Sequence, residues 1–337
     1  MDWTEPEQLF IMFRLENWNP PSGFLSDENF DAYEEILVSI VFDHMDTGRT
    51  VDGTWLSDFQ LRRNAALMEQ LAVHELDLVL SDVPTRLRAV KSGAELVFVR
   101  AAARYADTVL EAVLAEAGAI IARGGTERDI LAAGLSAAQR RMADELGDLP
   151  DRTRCGLTGT VHSGPRAALP HGKTMARTPL AGETLIAGIG ASVAGYHAES
   201  GATFVVGEPD GDTLDCLRAA EACDAAAQAA LRPGVRCEAV NEAALAVLRE
   251  AGFGEAIRHR IGHGMGIAGH EAPWLAPGDP TVVEAGMVFS SEPGIYRPGR
   301  DGTRTINTLI VGTDAPEVPS RFQSDHPIEA RILAPNA

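Results

Sequence analysis

The chain has 337 residues, enough for about two domains of ordinary size. Its 45% hydrophobic and 23% charged content excludes a disordered, collagen-like or coiled-coil protein. Acids outnumber bases 48 to 29, a net charge of −19, so the protein's own field opposes a phosphate backbone and no nucleic-acid partner is expected.

The N-terminus, MDWTEPEQLF, is acidic where a signal peptide would be basic, and no apolar run reaches membrane-spanning length. A soluble, cytoplasmic protein without a membrane partner is expected. Cys155, Cys216, Cys223 and Cys237 form no C-x-x-C pair and are read as reduced residues. Residues 1–87 differ in texture from the rest, with Trp3, Trp18 and Trp55 and many acids. They are read as a short N-terminal domain or arm, with a helix over Leu61–Leu71 and a strand over Leu76–Leu80.

Residues 88–337 form the main domain. Ser92-Gly93-Ala94-Glu95 has capping-box spacing, and Phe98, Ala102, Tyr105, Val109, Val113, Ala117 and Ile120 continue it as a helical stripe to Gly124-Gly125. Thr126 caps a second helix through Ile130, Leu135, Ala138 and Met142, after which the chain becomes β-like to about residue 206. Gly188–Gly195 superficially resembles a dinucleotide-binding loop, but its spacing and the strand-like Tyr196–Phe204 that follows predict a β-hairpin. From Asp210 the order repeats: a helix ending before Pro233-Gly234, a helix over Glu238–Glu250, then strand-like segments at Arg258–Ile261, Met287–Ser291 and Thr305–Val311. Such a repeat of elements predicts an α/β (α+β) domain of two helix-pair-plus-strand halves around one sheet.

Chemistry concentrates in the second half. Gly262-His263-Gly264-Met265-Gly266-Ile267-Ala268-Gly269-His270-Glu271-Ala272-Pro273 places two histidines in a glycine-rich stretch, where backbone can approach a ligand closely. Gly286–Tyr296 follows, with Glu292 at a strand rim before Pro293-Gly294. The pattern G-H-G-x-G…H-E-x-P…G-M-V-F-x-x-E-P-G-I-Y resembles the pita-bread family of methionine aminopeptidase, aminopeptidase P, prolidase and creatinase, from about Arg88 to Val311. Arg88-Ala89-Val90-Lys91-Ser92 with Glu95 is similar to that family's lead into the catalytic domain. Ser163-Gly164-Pro165 with Pro170-His171 is similar to the loop whose histidine caps its active site, and Gly195-Tyr196 and Arg304 also match.

The resemblance implies a duplicated pita-bread domain and, in the family's metallopeptidases, two metal ions held by two aspartates, one histidine and two glutamates. Carried onto this chain, those positions are Gly188, Glu199, His263, Glu292 and Ile306. A one-residue slip would bring Asn307 to the last, but strand alternation puts Arg304 and Ile306 on one face. With two of five ligands lost, no metal and no cofactor are expected. The leading expectation is a metal-independent, creatinase-like hydrolase of a small amide or guanidino metabolite. In it His171, Glu292 and His263 are catalytic, and His270, Glu271, Glu199, Arg304, Tyr196 and His197 bind substrate. Three alternatives accompany it. They are a proton-transfer lyase, cyclase or isomerase in the same pocket, a mononuclear metallopeptidase of aminopeptidase P or prolidase type on Glu199, His263 and Glu292, and a non-catalytic binding module. The resemblance further implies a homodimer acting on a small molecule.

Overall fold

The computed structural model describes residues 83–147 and 154–334. The expected N-terminal helix over Leu61–Leu71 and strand over Leu76–Leu80 lie outside the described residues, as does most of the 1–87 arm. After a short helix α1 (Val83–Ala89), Ser92 and Glu95 make the reciprocal capping box that opens α2 (Gly93–Ala122). Thr126 and Asp129 repeat the device for α3 (Glu127–Glu145). Their apolar stripes, with Val99, Tyr105, Val109 and Val113 of α2 and Ile130, Ala138 and Met142 of α3, cover strands β1 (Gly156–Ser163), β2 (Thr184–Val193) and β3 (Tyr196–Val206) in one hydrophobic cluster.

The predicted hairpin is present: β2 and β3 pair antiparallel along their whole length, joined by Ala194-Gly195, both at positive φ (49° and 85°). That two-residue geometry matches the twist of the strands it joins. Between β1 and β2 a 3-10 turn, Gly164–Ala168, leads to His171.

The second half follows the same plan. Helices α4 (Gly211–Ala230, capped by Asp210) and α5 (Cys237–Glu250) cover β5 (Glu271–Leu275), β6 (Val288–Ser291) and β9 (Ile306–Ile310) in a second cluster, with β4 (Gly262–Gly264) paired between β5 and β6. Strands β7 (Gly294–Arg297) and β8 (Asp301–Arg304) form a separate ribbon. The main sheet runs β1-β2-β3-β9-β6-β4-β5, with neighbours antiparallel, and β10 (Ile332–Leu333) pairs parallel with β3. The innermost strand of each half, β3 and β9, therefore meet at the seam through Ser200↔Asn307 and Gly201↔Ile306.

One segment differs from expectation. Arg258–Ile261 forms no strand, and pairing begins at Gly262. The backbone N–H of Ile261 is taken by Asn241 Oδ1 at 3.0 Å and Arg260 Nε donates to Gly262 O at 3.0 Å, so side chains satisfy the donors and acceptors a ladder would use. Pairing then becomes possible because Gly262 lets β4 press against β6, where a Cβ would run into the carbonyl of Ser290.

Candidate active site

The site forms where the two halves meet. Strand β3 presents Glu199, β4 presents His263, and Glu292 follows the end of β6. His263 is 0% exposed. Its Nδ1 donates to Gly264 O at 3.1 Å, which aims Nε2 at Glu199 Oε2, 3.6 Å away, and Glu292 Oε1, 3.4 Å away. Among the described residues that buried Nε2 has no hydrogen-bond partner. Burial alone would push all three groups toward neutrality, but their mutual attraction outweighs it. His263 is pushed up to about 10 by Glu199 and Glu292, and Glu292 is held well below the usual carboxylate range by His263. His270 stacks on His263, ring centroids 3.8 Å apart, and one ligand atom from each of Glu199, His263 and His270 lies within 4.8 Å of the others.

Other predicted residues have different surroundings. Glu271 is buried and ion-paired to Lys91 Nζ at 2.8 Å and to Arg88, so its oxygens are engaged by the segment that leads into α2. Tyr196 stacks on Phe98 and donates to Glu95 Oε1 at 2.8 Å, tying β3 to the start of α2. His197 bonds Gly266 O through its backbone N–H at 2.8 Å and through Nδ1 at 3.1 Å, which holds the glycine-rich loop. His171 is exposed at the pocket rim. Loss of hydration, then Arg304, lowers its pKa against the pull of Glu292.

The two missing acids leave no hole. A Cβ built on Gly188 would stand 2.7 Å from Arg304 Nη2 and 3.4 Å from Ile306 Cδ1, and one built on Gly201 would stand 2.6 Å from Ile306 Cδ1. The guanidinium of Arg304, buried and anchored by Nη1 to Pro170 O at 2.7 Å, thus fills the space of the first acid. The side chain of Ile306 covers the space of the last. A cation and a branched alkyl group there do not fit a two-ion centre. For one ion, Glu199, His263 and His270 each bring a ligand atom within 4.8 Å of the others, and Glu292 adds a carboxylate 3.4 Å from His263 Nε2. Ligand atoms about 2.0–2.2 Å from a tetrahedral ion stand roughly 3.3–3.6 Å apart, the spacing of His263 Nε2 from the two carboxylates.

Some contributors carry no motif. Ser290 Oγ donates to Glu199 Oε2 at 2.8 Å, fixing the carboxylate that β3 supplies. His162 of β1 is fully buried, and neither ring nitrogen has a hydrogen-bond partner among the described residues. Its ring lies under the chain after His171, 3.0 Å from where a Cβ on Gly172 would be. Ser290 precedes a recognised strand end, but nothing in one sequence marks a serine as a carboxylate's partner.

Comparison with known proteins places this geometry. Residues 98–313 match the family model Peptidase_M24, described as metallopeptidase family M24. The chain is 36% identical to the probable dipeptidase PepE of Mycobacterium tuberculosis over 244 residues, 72% of this chain and 61% of that one. It thus spans about three fifths of the length of that relative. It is 28% identical to the Xaa-Pro dipeptidase of Pyrococcus furiosus over 306 residues, 91% of this chain and 80% of the relative. Among solved structures it superposes on dipeptidase PepE from Mycobacterium ulcerans with a TM-score of 0.66 at 31% identity, covering 77% of this chain and 65% of that one. The expected creatinase-like, metal-free branch has no support in these likenesses, which run to dipeptidases and Xaa-Pro dipeptidases. On the match over 98–313, the chain belongs to metallopeptidase family M24.

Proposed function

We propose that this chain hydrolyses small peptides, dipeptides in the first place, at a centre that holds one divalent ion. The observation that carries the reading is the buried, unbonded His263 Nε2 facing Glu199 and Glu292 at 3.6 and 3.4 Å. Glu199, His263, His270 and Glu292 would supply the ion's donors. An imidazole-and-carboxylate set suits zinc, manganese or iron in the divalent state. When bound, the ion supplies Lewis-acid chemistry, polarising a carbonyl and acidifying water.

The remaining work falls to side chains. His171, whose pKa is lowered by loss of hydration and then by Arg304, accepts a proton from water and returns it to the leaving nitrogen. Arg304 pairs with the carboxylate of a short peptide, for which the guanidinium's planar fork is suited. Ser290 keeps Glu199 turned toward the ion. The dipeptidase names of the relatives support the substrate class.

The test is metal content by mass spectrometry on protein purified without chelator, together with hydrolysis of Xaa-Pro and other dipeptides. About one ion per chain, lost with activity on chelation, is expected. A folded chain that binds no ion and cleaves no dipeptide overturns the reading.

A further inference from the structure

Beneath the site, each half carries a buried aspartate that reaches from a helix to a site strand. In the first half Asp107 of α2 accepts from Ser200 Oγ at 2.6 Å and from the backbone N–H of Arg321 at 2.6 Å. In the second, Asp224 of α4 accepts from Ser291 Oγ at 2.5 Å, Asn307 Nδ2 at 2.7 Å and Gln228 Nε2 at 2.7 Å. The partners are one residue from the site positions. Ser200 follows Glu199, Ser291 precedes Glu292, and Asn307 follows Ile306. Strand alternation turns Ser200 and Asn307 down toward the helices while Glu199 and Ile306 face the pocket. Ser200 and Asn307 are also register partners across the seam, so the two aspartates grip the same junction from opposite halves. Ser320 Oγ extends the link by donating to Asn307 Oδ1 at 3.2 Å.

The chemistry is unusual for mere glue. Asp107 and Asp224 are 6% and 4% exposed, and among the described residues neither has a cationic side chain within ion-pair distance. Burying an unpaired carboxylate is costly, and a neutral amide could brace a strand at less expense. Carboxylates placed behind ligands are, however, a recurrent means of fixing ligand geometry. We propose that Asp107 and Asp224 are positioning residues. Through Ser200, Ser291 and Asn307 they set the separation of Glu199 and Glu292 around His263 and thereby the affinity for the ion.

This inference rests on the single-ion reading. It is tested on the full chain by titrating the ion-free protein with Co2+, following visible absorption, and by melting the same proteins in chelator. In Asp107→Asn and Asp224→Asn the Co2+ affinity should fall about 10–100-fold and the absorption band should shift. Ser200→Ala and Ser291→Ala, which remove only the strand end of each link, should weaken Co2+ in the same direction if an aspartate variant does not fold. Variants that melt lower but bind Co2+ within twofold of the unsubstituted chain would show bracing alone and overturn the proposal. An unsubstituted chain that binds no Co2+ overturns both this proposal and the single-ion reading, whereas tight binding unchanged in every variant overturns this one alone.

Discussion

The two halves of the domain share a scaffold and divide the chemistry unequally. Each has a helix pair over its own hydrophobic cluster and a buried aspartate tied to an inner strand. Among the described residues, the second half supplies the histidine that faces both carboxylates, the histidine stacked on it and a rim glutamate. The first contributes Glu199, and at Gly188 it contributes space, which Arg304 of β8 fills. The scaffold is constrained by packing that every strand shares, whereas a ligand needs only that its own side chain point into the pocket. A single substitution can therefore remove a ligand without disturbing the fold.

The largest expected effect comes from removing the centre of the second half. His263→Ala removes the imidazole that faces both Glu199 and Glu292. Ion content should drop to background and dipeptide hydrolysis by at least about a hundredfold, more than for any residue behind a ligand. Mass spectrometry and an activity assay read both. If ion content is unchanged, His263 is not a ligand and the asymmetry between halves has another meaning.

Restoring symmetry is the converse experiment. Gly188→Asp alone places a carboxylate against Arg304 Nη2, with which it should pair, and ion content should stay near one. Gly188→Asp with Ile306→Glu returns both missing acids and should raise it toward two, as a pair of hard or borderline ions needs that density of oxygen. A stoichiometry still at one in a folded double variant would mean that Arg304, rather than missing acids, decides the count.

A third experiment asks what holds the halves together. Glu271 of β5 is clamped by Lys91 and Arg88, which precede α2, and the side chain of Lys91 is only 2% exposed. Glu271→Gln would leave that ammonium buried without a counter-charge, at a cost of about 3 kcal/mol or more. Denaturant unfolding measures the loss. A large loss of stability at unchanged KM would make Glu271 a structural tie, and a raised KM at unchanged stability would return it to the substrate-binding set.

Much of this was legible in the sequence. The stripes from Phe98 to Ile120 and from Ile130 to Met142, the Ser92 capping box, the Thr126 cap and the repeated element order led to the fold, because period and caps are local. His263, Glu199 and Glu292 could be placed by motif spacing and do converge. Tyr196, His197 and Glu271 lie in the same motifs, yet their polar atoms face Glu95, Gly266 and Lys91. A motif records that a residue is near the site and not which way it turns. The filling of the Gly188 space by Arg304 and the paths from Asp107 and Asp224 depend on contacts from 67 to 214 residues apart in sequence, between elements whose register no local signal gives.

The buried aspartates also give the halves a common pH signature. Burial pushes Asp107 up to about 6, opposed by Ser200 and backbone donors, and raises Asp224 as well. A carboxyl raised above its unfolded value of about 3.9 binds its proton more tightly in the folded state. It contributes stability that is fully present below pH 4 and is lost as pH rises through about 6. Ion-free protein should lose up to about 3 kcal/mol from Asp107 across that window. Asp107→Asn should flatten the slope in denaturant titrations from pH 4 to 7. An unchanged slope would assign it to other groups.

The smallest difference lies at the helix starts. The first half opens α2 and α3 with side-chain capping boxes, and Ser92→Ala or Thr126→Ala should each cost about 1 kcal/mol. In the second half α5 begins after Arg236 with no side-chain cap, which invites Arg236→Ser as a stabilising change. The backbone argues against a gain. Cys237 N–H already donates to Thr281 O at 2.9 Å and Glu238 N–H to Asp279 O at 3.0 Å, so the 279–281 loop satisfies donors that a serine would otherwise reach. Arg236→Ser should therefore leave the unfolding midpoint nearly unchanged while the two alanine variants lower it. A gain as large as a normal cap would mean that the loop's carbonyls are poor substitutes, and that α2 and α3 start more firmly than α5.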